Sequence, residues 1–322
     1  MKILNTIKEL YGMEGTIQAT ADKYGCQLEY RRPKELTHDY LLDFDIILGN
    51  PPEDVLYDLP KLKLLQLQSA GSDNYAKLPI FHGENAPALC NATGCYGVTI
   101  AEHMVGFILA IIRDFLPYRD AMHTHTWSHI RTPETINGKK ALIIGLGDIG
   151  SHFAKLMDAF GCEVYAIKRT MTAPPEYIKE IHPLTDLDSL LPEMDFVALS
   201  LPQSPQTTHV INAHTLSLMK PEAVVINVGR GSAVDNLALA DALKNGTIKG
   251  AALDVTEPEP LPEDHPLWDC ENCLITPHSS GKYFQRDPHL RILRLWQDNL
   301  EALMDGRPLQ NIVDLATGYK KR

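Results

Sequence analysis

Short apolar runs recur along this chain, separated by stretches whose apolar residues are spaced as on one face of a helix. In the first part of the chain the runs fall at 2–7, 26–30, 45–48, 64–68 and, just after Pro87, at 88–90. A second series falls at 141–144, 163–167, 196–200, 223–227, 250–253 and 274–275. Such runs, apolar without strict alternation, suit strands buried on both faces, and their alternation with helical segments predicts parallel α/β structure. The stretch 99–115 is too apolar throughout for a surface helix. After Pro288 an amphipathic helix carries Leu290, Ile292, Leu293, Leu295, Trp296, Leu300 and Leu303. The second series makes one domain over 99–287, which leaves the last helix over. That helix is expected to return to the first domain, giving 1–98 plus 288–322. Open parallel sheets bind ligands at the carboxyl ends of their strands, so the substrate is expected in a cleft between the domains.

A chain of 322 residues with 44% hydrophobic content can build two cores of ordinary size. The net charge of −11, with no long basic run to offset it, argues against nucleic acid or an anionic membrane as partner. Six cysteines at 26, 90, 95, 162, 270 and 273 lack disulfide-like density. The opening Met1-Lys2-Ile3-Leu4-Asn5 has no signal-peptide core, and no apolar run reaches membrane-spanning length. A reduced, cytoplasmic location is the expectation.

Chemistry enters with Gly145-Leu146-Gly147-Asp148-Ile149-Gly150, which directly follows the apolar run Ala141-Leu142-Ile143-Ile144. Gly145 permits the strand-to-helix turn, Gly147 lets a phosphate approach the backbone, and Gly150 lets the helix pack on the sheet. A helical pattern follows (Phe153, Leu156, Met157, Phe160), and its N-terminus offers free N–H groups to an anion. A second strand comes next, so the context is that of a dinucleotide site. An NAD site places a carboxylate near the end of that strand to accept from the ribose 2′-hydroxyl. Here the chain reads Lys168-Arg169-Thr170. Two cations and a hydroxyl suit a 2′-phosphate, so NADP(H) is expected over NAD(H), with NAD retained as a possible second cofactor.

The candidates for catalysis follow successive strands of the second domain. Arg230 follows 224–229, Asp254 ends 251–253, Glu259 lies in a Pro-rich turn, and His278 follows Leu274-Ile275-Thr276-Pro277. An always-charged guanidinium fork can hold a carboxylate and polarise the neighbouring carbonyl. An imidazole can deliver a proton in one direction and take it back in the other. Glu259 beside it would stabilise the imidazolium. Singly each has a bland reading, as a surface ion-pair residue, a solvated acid or a satisfied hydrogen-bonder; their joint spacing along one sheet edge favours a site.

These motifs, in this order, resemble the D-isomer-specific 2-hydroxyacid dehydrogenase family over nearly the full length. The matching stretches are Gly145 to Gly150, Asn227-Val228-Gly229-Arg230-Gly231, 252–255 through Glu259-Pro260, Pro266-Leu267-Trp268 and Thr276-Pro277-His278. Upstream, 69–74 and Gly97-Val98-Thr99-Ile100-Ala101-Glu102-His103 match as well. The resemblance implies a catalytic Arg230, Glu259 and His278, a nicotinamide-amide partner at Asp254, and a substrate-carboxylate loop at Ser69, Ala70 and Gly71. It extends the cofactor-binding set to Leu201, Pro202, Thr207, Val228, Gly229, Ser280 and Gly281. Lys168 stands where many members carry Asp, which puts NAD use in doubt. The resemblance also implies a flavodoxin-like first domain, an interdomain helix at 99–115, and a homodimer joined through the cofactor domain.

In such a dimer, His123-Thr124-His125-Thr126-Trp127-Ser128-His129 would form an arm. The histidine spacing there fits neither a helix-face pair nor a tight finger, so no metal is assigned. Cys270 and Cys273 lack the second pair a zinc site needs and a thioredoxin-like context.

The implied reaction is reduction of a small 2-oxo acid to the D-2-hydroxy acid, of glyoxylate or hydroxypyruvate type. A formate dehydrogenase would carry Gln at position 259. The alternative is an NAD(P)H-binding sensor or co-repressor-like protein of the same fold with little turnover. The wall that sets side-chain specificity is expected near Asn50, Pro51, Pro52 and Tyr96.

Overall fold

The apolar runs form two all-parallel sheets. In the computed structural model, which describes residues 1–127 and 133–321, the chain divides into two compact units, Met1–Tyr96 with Lys282–Arg322, and Gly97–Gly281. The first unit holds β1 (Lys2–Asn5), β2 (Gln27–Tyr30), β3 (Ile46–Leu48), β4 (Leu64–Gln66) and β5 (Ala88–Cys90) in the order β2-β1-β3-β4-β5. This is the flavodoxin-like order. Ile46, Ile47, Leu48, Leu64 and Leu65 are fully buried, as the unalternated run requires.

The helix Arg286–Met304 belongs to this unit. Its buried stripe (Ile292, Leu293, Trp296, Leu300) is fixed by polar contacts as well. Trp296 Nε1 donates to Leu67 O at 3.3 Å, and Asn299 Nδ2 donates to Gln66 Oε1 at 2.6 Å. The helix starts two residues before Pro288 rather than after it. Proline in the first turn removes an N–H that has no intrahelical acceptor, so it does not stop the helix there.

The second unit holds β6 (Lys140–Ile144), β7 (Glu163–Ile167), β8 (Glu180–His182), β9 (Phe196–Leu199), β10 (Val224–Asn227), β11 (Gly250–Leu253) and β12 (Cys273–Ile275), ordered β12-β11-β10-β9-β6-β7-β8. Chain order reverses between β6 and β9, the switch point at which doubly wound sheets bind ligands. β8 adds a seventh strand that the apolar pattern did not show.

The apolar helix spans Gly97–Ile112 and packs against the helix Asp148–Ala159, the reason for its composition. It ends three residues before the sequence reading placed its end. Asp114 adopts φ 55°, a left-handed conformation that Asp tolerates, and a second helix, Phe115–His123, departs from it. Ser128 and His129 of the expected arm lie outside the described residues.

Among the described residues no helix is long and apolar enough to cross a membrane. All six cysteines are free thiols, and burial pushes Cys90, Cys162 and Cys273 up to about 12. Cys270 is buried too, so the Cys270–Cys273 pair lacks the activated thiolate that redox chemistry requires.

Candidate active site

The glycine turn leaves the carboxyl end of β6 at the switch point. Gly145 has φ 105°, and a Cβ on it would stand 2.8 Å from Ser200 O. At Gly150 a Cβ would meet Gly145 O at 2.2 Å. At Gly147 it would meet nothing within 4 Å, so this backbone faces open space. The helix beginning at Asp148 has no side-chain cap, and the N–H groups of Asp148, Ile149 and Gly150 have no hydrogen-bond partner among the described residues. An uncapped 12-residue helix behind an open glycine has the geometry to receive a pyrophosphate. The residues present therefore fit a dinucleotide.

The end of β7 carries the three residues expected to select the cofactor. Lys168 is fixed at its backbone, where its N–H donates to His182 O at 3.0 Å, and its Nζ donates to Thr172 Oγ1 at 3.3 Å. Arg169 is exposed and forms no ion pair among the described residues. Thr170 follows it on the same exposed turn. Leu201 and Pro202, after β9, stand beside the glycine turn, held by the Ser200 hydroxyl donating to Gly145 O at 2.7 Å. Thr207 braces that segment, its hydroxyl donating to Pro202 O at 2.7 Å and accepting from Ser204 N–H.

Arg230 leaves the edge of the same sheet after β10, beyond Val228 and Gly229. Its position is enforced by close approach on both sides. A Cβ at Gly229 would lie 2.6 Å from both Leu201 N and O, and one at Gly231 would lie 1.8 Å from Thr256 O. Only glycines can flank an arginine threaded between these two backbones. Asn227 tightens the turn, donating to Arg230 O at 2.9 Å and accepting from Gly229 N–H at 3.1 Å. Arg230 Nη1 donates to Gly229 O at 2.8 Å.

Glu259 and His278 follow β11 and β12, the next strands along, and they meet. His278 Nδ1 lies 3.0 Å from Glu259 Oε2, while Glu259 Oε1 accepts from Thr256 N–H at 3.2 Å. An Nδ1–H donated to the carboxylate leaves Nε2 as the exchanging nitrogen. The side chains are 52% and 41% exposed, so the pair contributes at most about 1 kcal/mol to stability. Yet His278 sits at φ 48°, a conformation that costs a non-glycine residue about 1–3 kcal/mol. The exposed pair with Glu259 does not by itself offset this cost.

Asp254 holds that conformation. It is 1% exposed, and its carboxylate accepts from Thr276 Oγ1 at 2.6 Å, Ser279 N–H at 2.7 Å, and both the N–H and hydroxyl of Ser280. Its carbonyl accepts from His278 N–H at 2.8 Å. The sequence reading placed Asp254 on the nicotinamide amide. Here the carboxylate already has four protein donors, so a cofactor amide would have to share or displace one. Ser280, expected on the cofactor, is likewise bound to Asp254, and Gly281 continues its loop.

His103 completes the brace. Thr276 gives its proton to Asp254, so its oxygen accepts from His103 Nε2–H at 3.3 Å. Burial lowers the His103 pKa and Asp254 opposes the shift, which suits this neutral donor. His103, Thr276 and Ser279 had no role in the sequence reading; the Thr276-Pro277-His278 stretch was the available signal for Thr276.

In the first unit, Ser69, Ala70 and Gly71 form one loop after β4. Every carbonyl in it is engaged: Ser69 O by Ala92 N–H, Ala70 O by Asn91 Nδ2, and Gly71 O by the Ser69 hydroxyl. Their N–H groups have no partner among the described residues. Consecutive unpaired N–H groups make an anion receptor.

Residues 105–280 match the family described as D-isomer specific 2-hydroxyacid dehydrogenase, NAD binding domain. The chain is 34% identical over 265 residues to a Thermofilum pendens protein named glyoxylate reductase, covering 79% of this chain and 75% of that one. It is 29% identical over 311 residues to glyoxylate/hydroxypyruvate reductase B of Pectobacterium carotovorum, covering 92% and 94%. Among solved structures, a D-isomer specific 2-hydroxyacid dehydrogenase from Xanthobacter autotrophicus, in complex with NADPH and MES, matches with TM-score 0.80 at 27% identity, covering 99% of each chain.

Proposed function

The chain belongs to the D-isomer specific 2-hydroxyacid dehydrogenase family, whose members are NAD(P)-dependent oxidoreductases acting on CH–OH groups, and from this we propose that it reduces a small 2-oxo acid of glyoxylate or hydroxypyruvate type to the D-2-hydroxy acid. The observation that carries the reading is the His278–Glu259 couple, held in a costly conformation on the sheet edge that also carries Arg230 and the glycine turn.

When bound, a reduced nicotinamide would supply the hydride for the carbonyl carbon, with its pyrophosphate held at the Gly145–Gly150 turn. The Ser69–Gly71 loop receives the substrate carboxylate through its N–H groups, and Arg230 adds a charged fork that polarises the carbonyl. His278 Nε2 delivers the proton to the developing alkoxide, and Glu259 stabilises the imidazolium and its orientation. Asp254, with Thr276 and His103 behind it, keeps the His278 loop in place. The reductase reading is favoured over a turnover-free sensor because several relatives of high coverage are named as reductases or dehydrogenases.

NADPH is the proposed cofactor. Lys168, Arg169 and Thr170 follow β7 with no carboxylate among them, and a related solved structure holds NADPH. We expect kcat/KM with NADPH to exceed that with NADH by about tenfold or more, about 1.4 kcal/mol in transition-state binding. Replacing Lys168 by Asp and Arg169 by Ala together should bring the ratio to one or invert it. The measurement is loss of reduced-nicotinamide absorbance with glyoxylate, hydroxypyruvate and pyruvate. A clear NADH preference refutes the cofactor assignment; cofactor binding without turnover on all three acids refutes the reductase.

The protein is further proposed to be a cytoplasmic homodimer. Its six free thiols suit a reducing compartment, which cell fractionation tests. Phe115, Met122 and Trp127 are 56%, 74% and fully exposed on the helix Phe115–His123 and the segment after it, more apolar surface than a solvated helix needs. Light scattering is expected to give twice 35.9 kDa, and Trp127→Glu to shift the protein toward monomer. A wild-type monomer at micromolar concentration would exclude the dimer.

A further inference from the structure

The Ser69–Gly71 loop is shaped by a residue from another strand. Gly49 follows β3 at φ 118°, where a Cβ would collide with Thr6 Oγ1 at 1.8 Å, and the turn it permits brings Asn50 beside the loop. Both ends of the Asn50 amide are used there. Oδ1 accepts from Gln68 N–H at 2.9 Å, and Nδ2 donates to Ser69 Oγ at 2.9 Å. The Ser69 hydroxyl accepts that bond and therefore turns its own proton to Gly71 O, at 2.7 Å.

We propose that Asn50 is a positioning residue for the anion receptor, deepening the reading that this loop binds the substrate carboxylate. Its amide satisfies the Gln68 N–H ahead of the receptor and commits the Ser69 hydroxyl to a carbonyl. The Ser69, Ala70 and Gly71 N–H groups are thereby left without a partner among the described residues. An anion then meets three fixed donors and bears none of the ordering cost. Asn50 itself touches the loop, not the anion. The Ser69 hydroxyl is thus a structural acceptor and donor, and recognition falls to the backbone.

The test compares steady-state kinetics of the full chain with NADPH and glyoxylate. Asn50→Ala is expected to raise KM for glyoxylate about tenfold, with kcat and the Kd for NADPH each within about twofold of the wild type. Asn50→Asp keeps the acceptor for Gln68 N–H but loses the donor and sets a negative charge beside the anion, so its KM is expected to rise further. Thermal melts verify that both variants fold, and either variant alone carries the test. Ala70→Pro, with Gly71→Pro as its second form, deletes one receptor N–H and tests the underlying reading separately. If these proline variants leave KM unchanged, the loop is not the carboxylate site. If they raise KM while the folded Asn50 variants retain the wild-type value, the loop reading stands and the role of Asn50 is overturned. A fall in kcat equal to the rise in KM would also overturn it, because a preorganised ground-state receptor acts on binding.

Discussion

His278→Ala is expected to lower kcat by about 10²- to 10⁴-fold, the range a positioned general acid contributes, while NADPH binding is retained. The variant needs a control, because alanine at φ 48° carries a backbone cost of its own. His278→Asn supplies it. Asparagine tolerates the left-handed conformation and cannot deliver a proton in this pH range, so the backbone is kept and the chemistry removed. Both variants should lose the same turnover, and the asparagine variant should melt near the wild type, since the exposed pair with Glu259 adds little to stability. Glu259→Gln keeps an oxygen for His278 Nδ1–H and removes the charge, so its loss of kcat is expected to be smaller. Steady-state kinetics with saturating NADPH decide the matter: turnover within tenfold of the wild type in both His278 variants would remove this residue from the reaction.

The framework of this site was legible because its signals are local. A glycine turn needs only a strand before it and a helix after it, and Gly145, Gly147 and Gly150 have both within a few residues. Arg230 and His278 could be placed at strand ends because each directly follows an apolar run. β8 escaped notice because Glu180-Ile181-His182 is an edge strand paired only with β7, and such a strand needs no apolar run. The brace behind His278 was illegible for a different reason. His103 and Thr276 are separated by 173 positions, and periodicity carries no information about which hydroxyl an imidazole will meet. The same holds for Asn50 and Ser69, joined across neighbouring strands.

Asp254 shows what a motif can and cannot convey. Its place after β11 was evident from sequence; its saturation by Thr276, Ser279 and Ser280 was not. A buried carboxylate with four donors is expensive to disturb, because each orphaned donor then lacks a partner. Its hydrogen bonds fix the loop that carries His278.

Arg230→Ala is the second large effect expected. A guanidinium that holds a carboxylate forms charge-assisted hydrogen bonds, and removing one such partner costs about 2–5 kcal/mol, or roughly 30- to 5000-fold in kcat/KM. Both parameters should move. KM rises because the substrate loses its fork, and kcat falls because the carbonyl loses the charge that favours developing alkoxide. Arg230→Lys separates these contributions. It keeps a charge but not the planar fork, whose direction is set by Nη1 on Gly229 O and by the two flanking glycines. Its kcat/KM is therefore expected to fall between alanine and wild type, nearer alanine. Full activity in the lysine variant would mean that charge alone suffices, and that the narrow passage between Leu201 and Thr256 serves the fold and not the substrate. Near-native kcat/KM in the alanine variant would exclude Arg230 from the site altogether.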